Sequence, residues 1–172
     1  EAAALGCVST GANVLRCPEA AVAGFVAFLR DGDDVATFAG TGLPTTFDGG
    51  FGADTLVGSD AADTFLWAPG SGNDAIDGGP GADTLDFSGA NVDEVFDVAP
   101  TATGFALQRN IGTVTLAADD VERLVLRTLG GKDDVTTTNL EATAQEITAA
   151  LDTSLDTLRV DANGLCAVRE ND

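Results

Sequence analysis

At 172 residues the chain has the length of one domain with a core of its own. Its 28 acidic against 8 basic side chains give a formal charge of -20, which excludes the phosphate backbone of nucleic acid as a partner. With 44% hydrophobic residues the chain can bury a core and is not read as disordered, and no apolar run is long enough to span a membrane as a helix.

The chain begins at Glu1 and has no methionine, so a processed product or a piece of a longer precursor is expected. Cys7 and Cys17 flank Val8 to Arg16, which reads as strand, Gly/Asn turn, strand. A disulfide across that hairpin is expected, two buried thiols being the alternative. Without a histidine or a C-x2-C spacing a zinc site has no support, and Cys166 is left over. From Ala20 to Leu29 the composition favours helix while the apolar run suits a strand, and both readings stay open.

Thr46 to Ser88 carries a repeat. Laid out by nines it reads Gly49 to Val57 (GGFGADTLV), then Gly58 to Leu66 (GSDAADTFL); after Trp67-Ala68 it resumes as Pro69 to Asp77 (PGSGNDAID) and Gly78 to Asp86 (GGPGADTLD). Each unit has six turn residues and three strand residues. The aspartates Asp54, Asp63, Asp74 and Asp83 align, and two positions after each stands Leu56, Phe65, Ile76 or Leu85. Glycine-rich turns adopt positive φ and turn carbonyls toward one point, to which the sixth residue adds a carboxylate. The strand then sends one apolar side chain inward and its neighbours outward. Stacked turns of this kind suit a hard, oxygen-seeking cation, and calcium, with six to eight oxygen ligands in flexible geometry, suits them better than magnesium. The acidity has a second reading, as a solvated or salt-adapted surface; the placement of aspartates beside glycine pairs favours ligands.

These units resemble the nonapeptide G-G-x-G-x-D-x-U-x of the RTX, or hemolysin-type, calcium-binding repeat proteins, where U is a large apolar residue. The first and fourth units match every defining position; the second has Ser59 and Ala61 for glycines and the third has Pro69 for the first glycine. The resemblance covers about a quarter of the chain. It implies an all-β parallel β-roll or β-solenoid with two units per coil and Ca2+ between stacked turns. It also implies folding that waits for calcium outside the cell. The candidate calcium residues are Gly49, Gly50, Gly52, Asp54, Asp60, Asp63, Gly70, Gly72, Asp74, Gly78, Gly79, Gly81 and Asp83. The step of twenty from Asp54 to Asp74 leads back to Asp34, in a degenerate turn Asp31-Gly32-Asp33-Asp34. Gly130-Gly131-Lys132-Asp133-Asp134 resembles a shortened turn and adds Asp133; ordinary Asx or glycine turns are the alternative at both places.

Trp67 reads as a packing or solenoid-surface residue rather than a ligand platform. Glu94 to Val98 and Gly104 to Arg109 read as a hairpin that projects from or caps the stack. Thr113 to Leu116, Glu122 to Leu126 and Thr157 to Val160 read as strands, with Leu124 and Leu126 on one face. Glu141 to Leu151 favours helix by composition, a preference that stacking can override. Asp161 to Gly164 reads as a final turn. One domain over 1–172 follows: an N-terminal hairpin and first coils (1–45), the repeats (46–88), a hairpin and strands (91–128), and degenerate coils (129–172).

Histidine and tyrosine are both absent, a Ser/His/Asp triad is impossible, and the paired carboxylates lie in turns that already have a role, so no catalysis is expected. The glycines recur by nines without the helix of a dinucleotide fold. The sequence therefore predicts a secreted or cell-surface calcium-binding structural module. Its partners are calcium and, in an alternative reading, copies of itself joined head to tail in a filament or surface layer. An ice- or ligand-binding threonine face is disfavoured, because Ala75 interrupts the alignment of Thr55, Thr64 and Thr84.

Overall fold

The structure, a computed structural model, describes residues 8–11, 14–16, 22–138, 146–151, 156–160 and 166–170. Their regular structure is β-strand apart from one 3-10 turn at Ile111–Thr113. A hairpin of β1 (Val8–Gly11) and β2 (Val14–Arg16) forms a small antiparallel sheet. Seven strands follow, the first two ahead of the repeats: β3 (Phe25–Phe28), β4 (Val35–Thr37), β5 (Thr45–Asp48), β6 (Thr55–Val57), β7 (Thr64–Trp67), β8 (Ala75–Asp77) and β9 (Thr84–Ser88). Beyond them lie β10 (Val95–Pro100), β11 (Gly104–Arg109), β12 (Val114–Asp119), β13 (Arg123–Arg127), β14 (Asp134–Thr137), β15 (Glu146–Leu151), β16 (Thr157–Val160) and β17 (Cys166–Glu170).

From β3 to β9 the chain crosses between two sheets at every turn. One sheet runs in the order β17-β15-β13-β9-β7-β5-β3 and the second in the order β16-β14-β10-β11-β12-β8-β6-β4. Each return lays a strand parallel to the one before. Val35 faces Thr55, which faces Ala75, and Phe25 faces Thr45; Thr46 to Thr64 is a step of eighteen, and Thr64 to Thr84 one of twenty. Trp67-Ala68 thus lengthens one return without breaking register. The turn at Asp31 to Asp34 joins the same progression. Residues 25–28 and 146–151, where composition leaves helix open, are strands, because parallel pairing, with β5 for the first and with β13 and β17 for the second, outweighs a propensity of a few tenths of a kcal/mol per residue.

One sequence expectation changes. The hairpin of β10 and β11 neither projects nor caps: β10 pairs in parallel with β14, β11 pairs antiparallel with β12, and β12 pairs in parallel with β8. Alternation decides this. Phe96, Val98, Phe105 and Leu107 point to one side and are at most 1% exposed, a surface too apolar to hold in water.

The core lies between the sheets. Leu56, Phe65, Ile76 and Leu85, the aligned apolar residues of the repeats, are all buried there. Phe47 stacks on Phe65 with centroids 4.8 Å apart, and Trp67 stacks on Phe87 at 4.0 Å, its indole N–H donating to the Gly72 carbonyl at 3.1 Å. Trp67, 2% exposed, is therefore a packing residue and not a surface one. At the other end of the stack Val26, Phe28, Val35 and Phe51 remain largely exposed.

Candidate functional site

The aspartates that the repeat aligns act first on the backbone. Asp54 Oδ1 accepts the N–H of Asp34 at 2.9 Å, and Asp74 Oδ1 accepts that of Asp54 at 3.0 Å. On the opposite edge Asp63 Oδ1 accepts the N–H of Thr45 at 2.6 Å, Asp83 Oδ1 that of Asp63 at 2.7 Å, and Glu122 Oε2 that of Asp83 at 2.8 Å. A third run joins Asp133 Oδ1 to the Glu94 N–H and Asp156 Oδ1 to the Asp133 N–H, both at 2.9 Å. Each carboxylate thus satisfies the donor that enters a strand one level away, a group that would otherwise be buried without a partner.

The second oxygens divide the set. Asp54 and Asp83 are 1% and 0% exposed, and their Oδ2 atoms are buried without a hydrogen-bond partner. Asp34 Oδ2 is likewise buried and unpartnered. In Asp63, where the unit has lost its glycine pair, Oδ2 accepts the Ser59 N–H at 2.5 Å and Oδ1 the Ser59 hydroxyl at 3.0 Å. Asp60 accepts the Gly40 N–H at 3.1 Å on the surface.

Uncompensated burial raises the affinity of these carboxylates for a proton. Desolvation pushes the Asp54 carboxyl up, the Asp34 N–H opposes it, and the charges of Asp34 and Asp33 add to the rise. Asp74 and Asp83 are pushed to about 6, again by desolvation first, with Asp54 beside one and Asp63, Glu122 and Asp120 beside the other. Asp133 is also driven to about 6 by burial, against the Glu94 N–H and the Thr128 hydroxyl. Glu94 differs: fully buried, it receives the Arg109 Nε–H at 2.5 Å and is ion-paired with the same guanidinium, which lies 5.6 Å from the Trp67 ring centroid.

The glycines let the turns close on one another. Gly52 and Gly72 have φ of 141° and 99°, and a methyl group on either would strike the carbonyl one level away, that of Gly32 or Gly52. A methyl group on Gly50 would strike the Arg30 carbonyl in the same way, and one on Gly49 would strike Asp54 Oδ2. A methyl group on Gly70 would strike the Phe51 ring, one on Gly78 or Gly81 would strike the Asp83 carboxylate, and one on Gly79 would lie 3.1 Å from the Ser59 carbonyl oxygen. Two sets of turns result, one with Asp34, Asp54 and Asp74 and the other with Asp63 and Asp83. Among the described residues no three acidic side chains converge as a metal-binding group. Any cation in these turns would therefore draw most of its ligands from carbonyls and water. Buried, unpartnered carboxylate oxygens in glycine-rich turns fit a hard cation on those terms. Cys7 and Cys17 lie outside the described residues, as does the turn at 161–164.

Glu94, Glu122 and Asp156 were missed because they fall outside the spacing of nine. A shorter signal would have found them: an acid two positions before an inward apolar residue, as in Glu94-x-Phe96, Glu122-x-Leu124 and Asp156-x-Leu158. No family model, curated protein or solved structure matches the chain.

Proposed function

We propose that the alternating strands are the coils of a parallel β-solenoid and that the chain is an extracellular calcium-binding structural or surface module, not an enzyme, whose folding is coupled to calcium. The observation that carries this reading is the division of labour in Asp54 and Asp83, with one oxygen held by the backbone and the other buried without a partner. Asp34, Asp54 and Asp74 with the carbonyls of their glycine turns would hold the ion on one edge, and Asp83 with its turn on the other. Calcium supplies positive charge and accepts lone pairs that the fold leaves unsatisfied, so its binding free energy becomes folding free energy. A disulfide between Cys7 and Cys17 belongs to the same extracellular reading. Circular dichroism of EDTA-stripped protein during a calcium titration, repeated with magnesium, tests the coupling. β signal that grows with calcium and not with magnesium is expected; equal signal in EDTA would sink the proposal.

A second reading, a subunit that stacks head to tail, is favoured by β3 and β4. They are the outer strands of their sheets among the described residues, and Val26, Phe28 and Val35 on them are 62, 64 and 77% exposed. Edge strands of soluble proteins are ordinarily shielded by charge or proline. Sedimentation in calcium should then show oligomers that Phe28→Lys abolishes; monomers at every concentration would discard this reading.

A further inference from the structure

After Gly78 to Asp83 the nonapeptide pattern stops, and the chain makes three consecutive strands, β10 to β12, in one sheet before crossing back. The segment by which it crosses, Asp120-Val121-Glu122, comes to rest against the last repeat turn. We infer that a second kind of divalent-cation site lies at this seam, built from the Asp83 and Glu122 carboxylates and the Asp120 carbonyl. It rests on the calcium reading of the turns, shares Asp83 with the last of them, and adds Asp120 and Glu122 from outside the nonapeptides.

Four observations support it. Asp83 is completely buried; its Oδ1 holds the Asp63 N–H at 2.7 Å, and its Oδ2 has no partner. Glu122 sets a second carboxylate beside it through the 2.8 Å bond to the Asp83 N–H. Asp120 has φ of 47°, a left-handed conformation that is uncommon outside glycine although aspartate tolerates it better than most residues, and its N–H is anchored to the Thr103 carbonyl at 3.0 Å. In that conformation its carbonyl oxygen presses on the face of Gly78: a methyl group there would collide with it and lie 2.8 Å from Asp83 Oδ2. Two oxygens from segments some forty residues apart are thus brought to one glycine.

Among the described residues no ion pair answers this charge. The ion pairs among the described residues join Arg109 to Glu94, Arg127 to Asp86 and Arg159 to Asp134, and none reaches Asp63, Asp83, Asp120 or Glu122. The donors are all oxygen, with no thiolate or imidazole, which selects a hard ion of the calcium class over zinc or copper. Two carboxylates and a carbonyl leave the remaining positions to water.

Calorimetric titration of the EDTA-stripped full chain with calcium chloride, for wild type, Glu122→Gln and Asp54→Asn, tests the site. The amide introduced by Glu122→Gln keeps an oxygen for the Asp83 N–H and removes the charge. This variant is expected to lose one class of site, or to weaken it at least about tenfold, while the others persist. Unchanged binding in Glu122→Gln with weakened binding in Asp54→Asn overturns the seam site and leaves the calcium reading standing. If the wild type binds no calcium, both readings fail. Should Glu122→Gln not fold even in calcium, Asp120→Gly replaces it, since glycine keeps the left-handed backbone and its carbonyl but removes a neighbouring negative charge. A several-fold weakening then supports the site, and no change overturns it.

Discussion

Asp54 and Asp83 each meet two demands that conflict in the absence of a counter-ion. The backbone N–H of the neighbouring turn favours the ionised form of the carboxylate, and burial with like charges favours the protonated form. Burial prevails, so the folded state holds protons that the unfolded chain has released. For Asp74, Asp83 and Asp133 the folded value is about 6 against an ordinary 3.8. Their contribution to stability is present in full below the unfolded value and is lost as pH rises through about 6. Thermal melts in EDTA should therefore show a higher Tm at pH 4.5 than at pH 7.5. In saturating calcium the slope should reverse between those values, because protons compete with the ion for the same oxygens. A Tm in EDTA that falls on acidification would mean that these carboxylates are stabilised as anions by something other than a metal.

At the level of strands, Glu94 and Arg109 show how the chain answers a buried carboxylate when it supplies the cation itself. Glu94 opens β10 as the aspartates open the repeat strands, but Arg109, from the end of β11, lies against it under Trp67. Arg109→Leu should lower stability in chemical denaturation by roughly 3–5 kcal/mol, since it strands a buried charge. Adding Glu94→Gln should return much of the loss, and a double variant no better than the single one would argue against ion pairing as the cause. The strands of this hairpin were legible in the sequence because its turn signals are local. Its place inside the sheet was not, because the pairing of Val95 with Asp134 spans 39 residues and leaves no periodic trace. The repeats invite a related misreading: successive units of nine belong to different sheets, so Thr55 and Thr64 are not neighbours. The row that exists on one sheet is Thr46, Thr64 and Thr84, which ends at Val26 and Arg123. Glycine spacing revealed the turn aspartates but not Glu122, whose turn has no glycine pair.

Over the whole molecule a charge of -20 opposes compaction, and general screening must be told apart from specific binding. Raising sodium chloride from about 0.05 to about 0.5 M shortens the Debye length from about 13 to about 4 Å and should raise the Tm of the EDTA-stripped chain modestly. Millimolar calcium should raise it much further at constant ionic strength. Equal effects at equal ionic strength would reduce the carboxylate runs to a screened surface. The excursion of β10, β11 and β12 has a last consequence, for parity. A chain that leaves β9 and must enter β13 running the same way can insert one strand or three into the intervening sheet, but not two, because an even number would deliver it to the wrong edge facing backwards. Length can therefore change at this point only in hairpin pairs. A chain shortened by β10 and β11 would still have β12 to carry it from one sheet to the other, which makes the seam the natural port for adding or removing material.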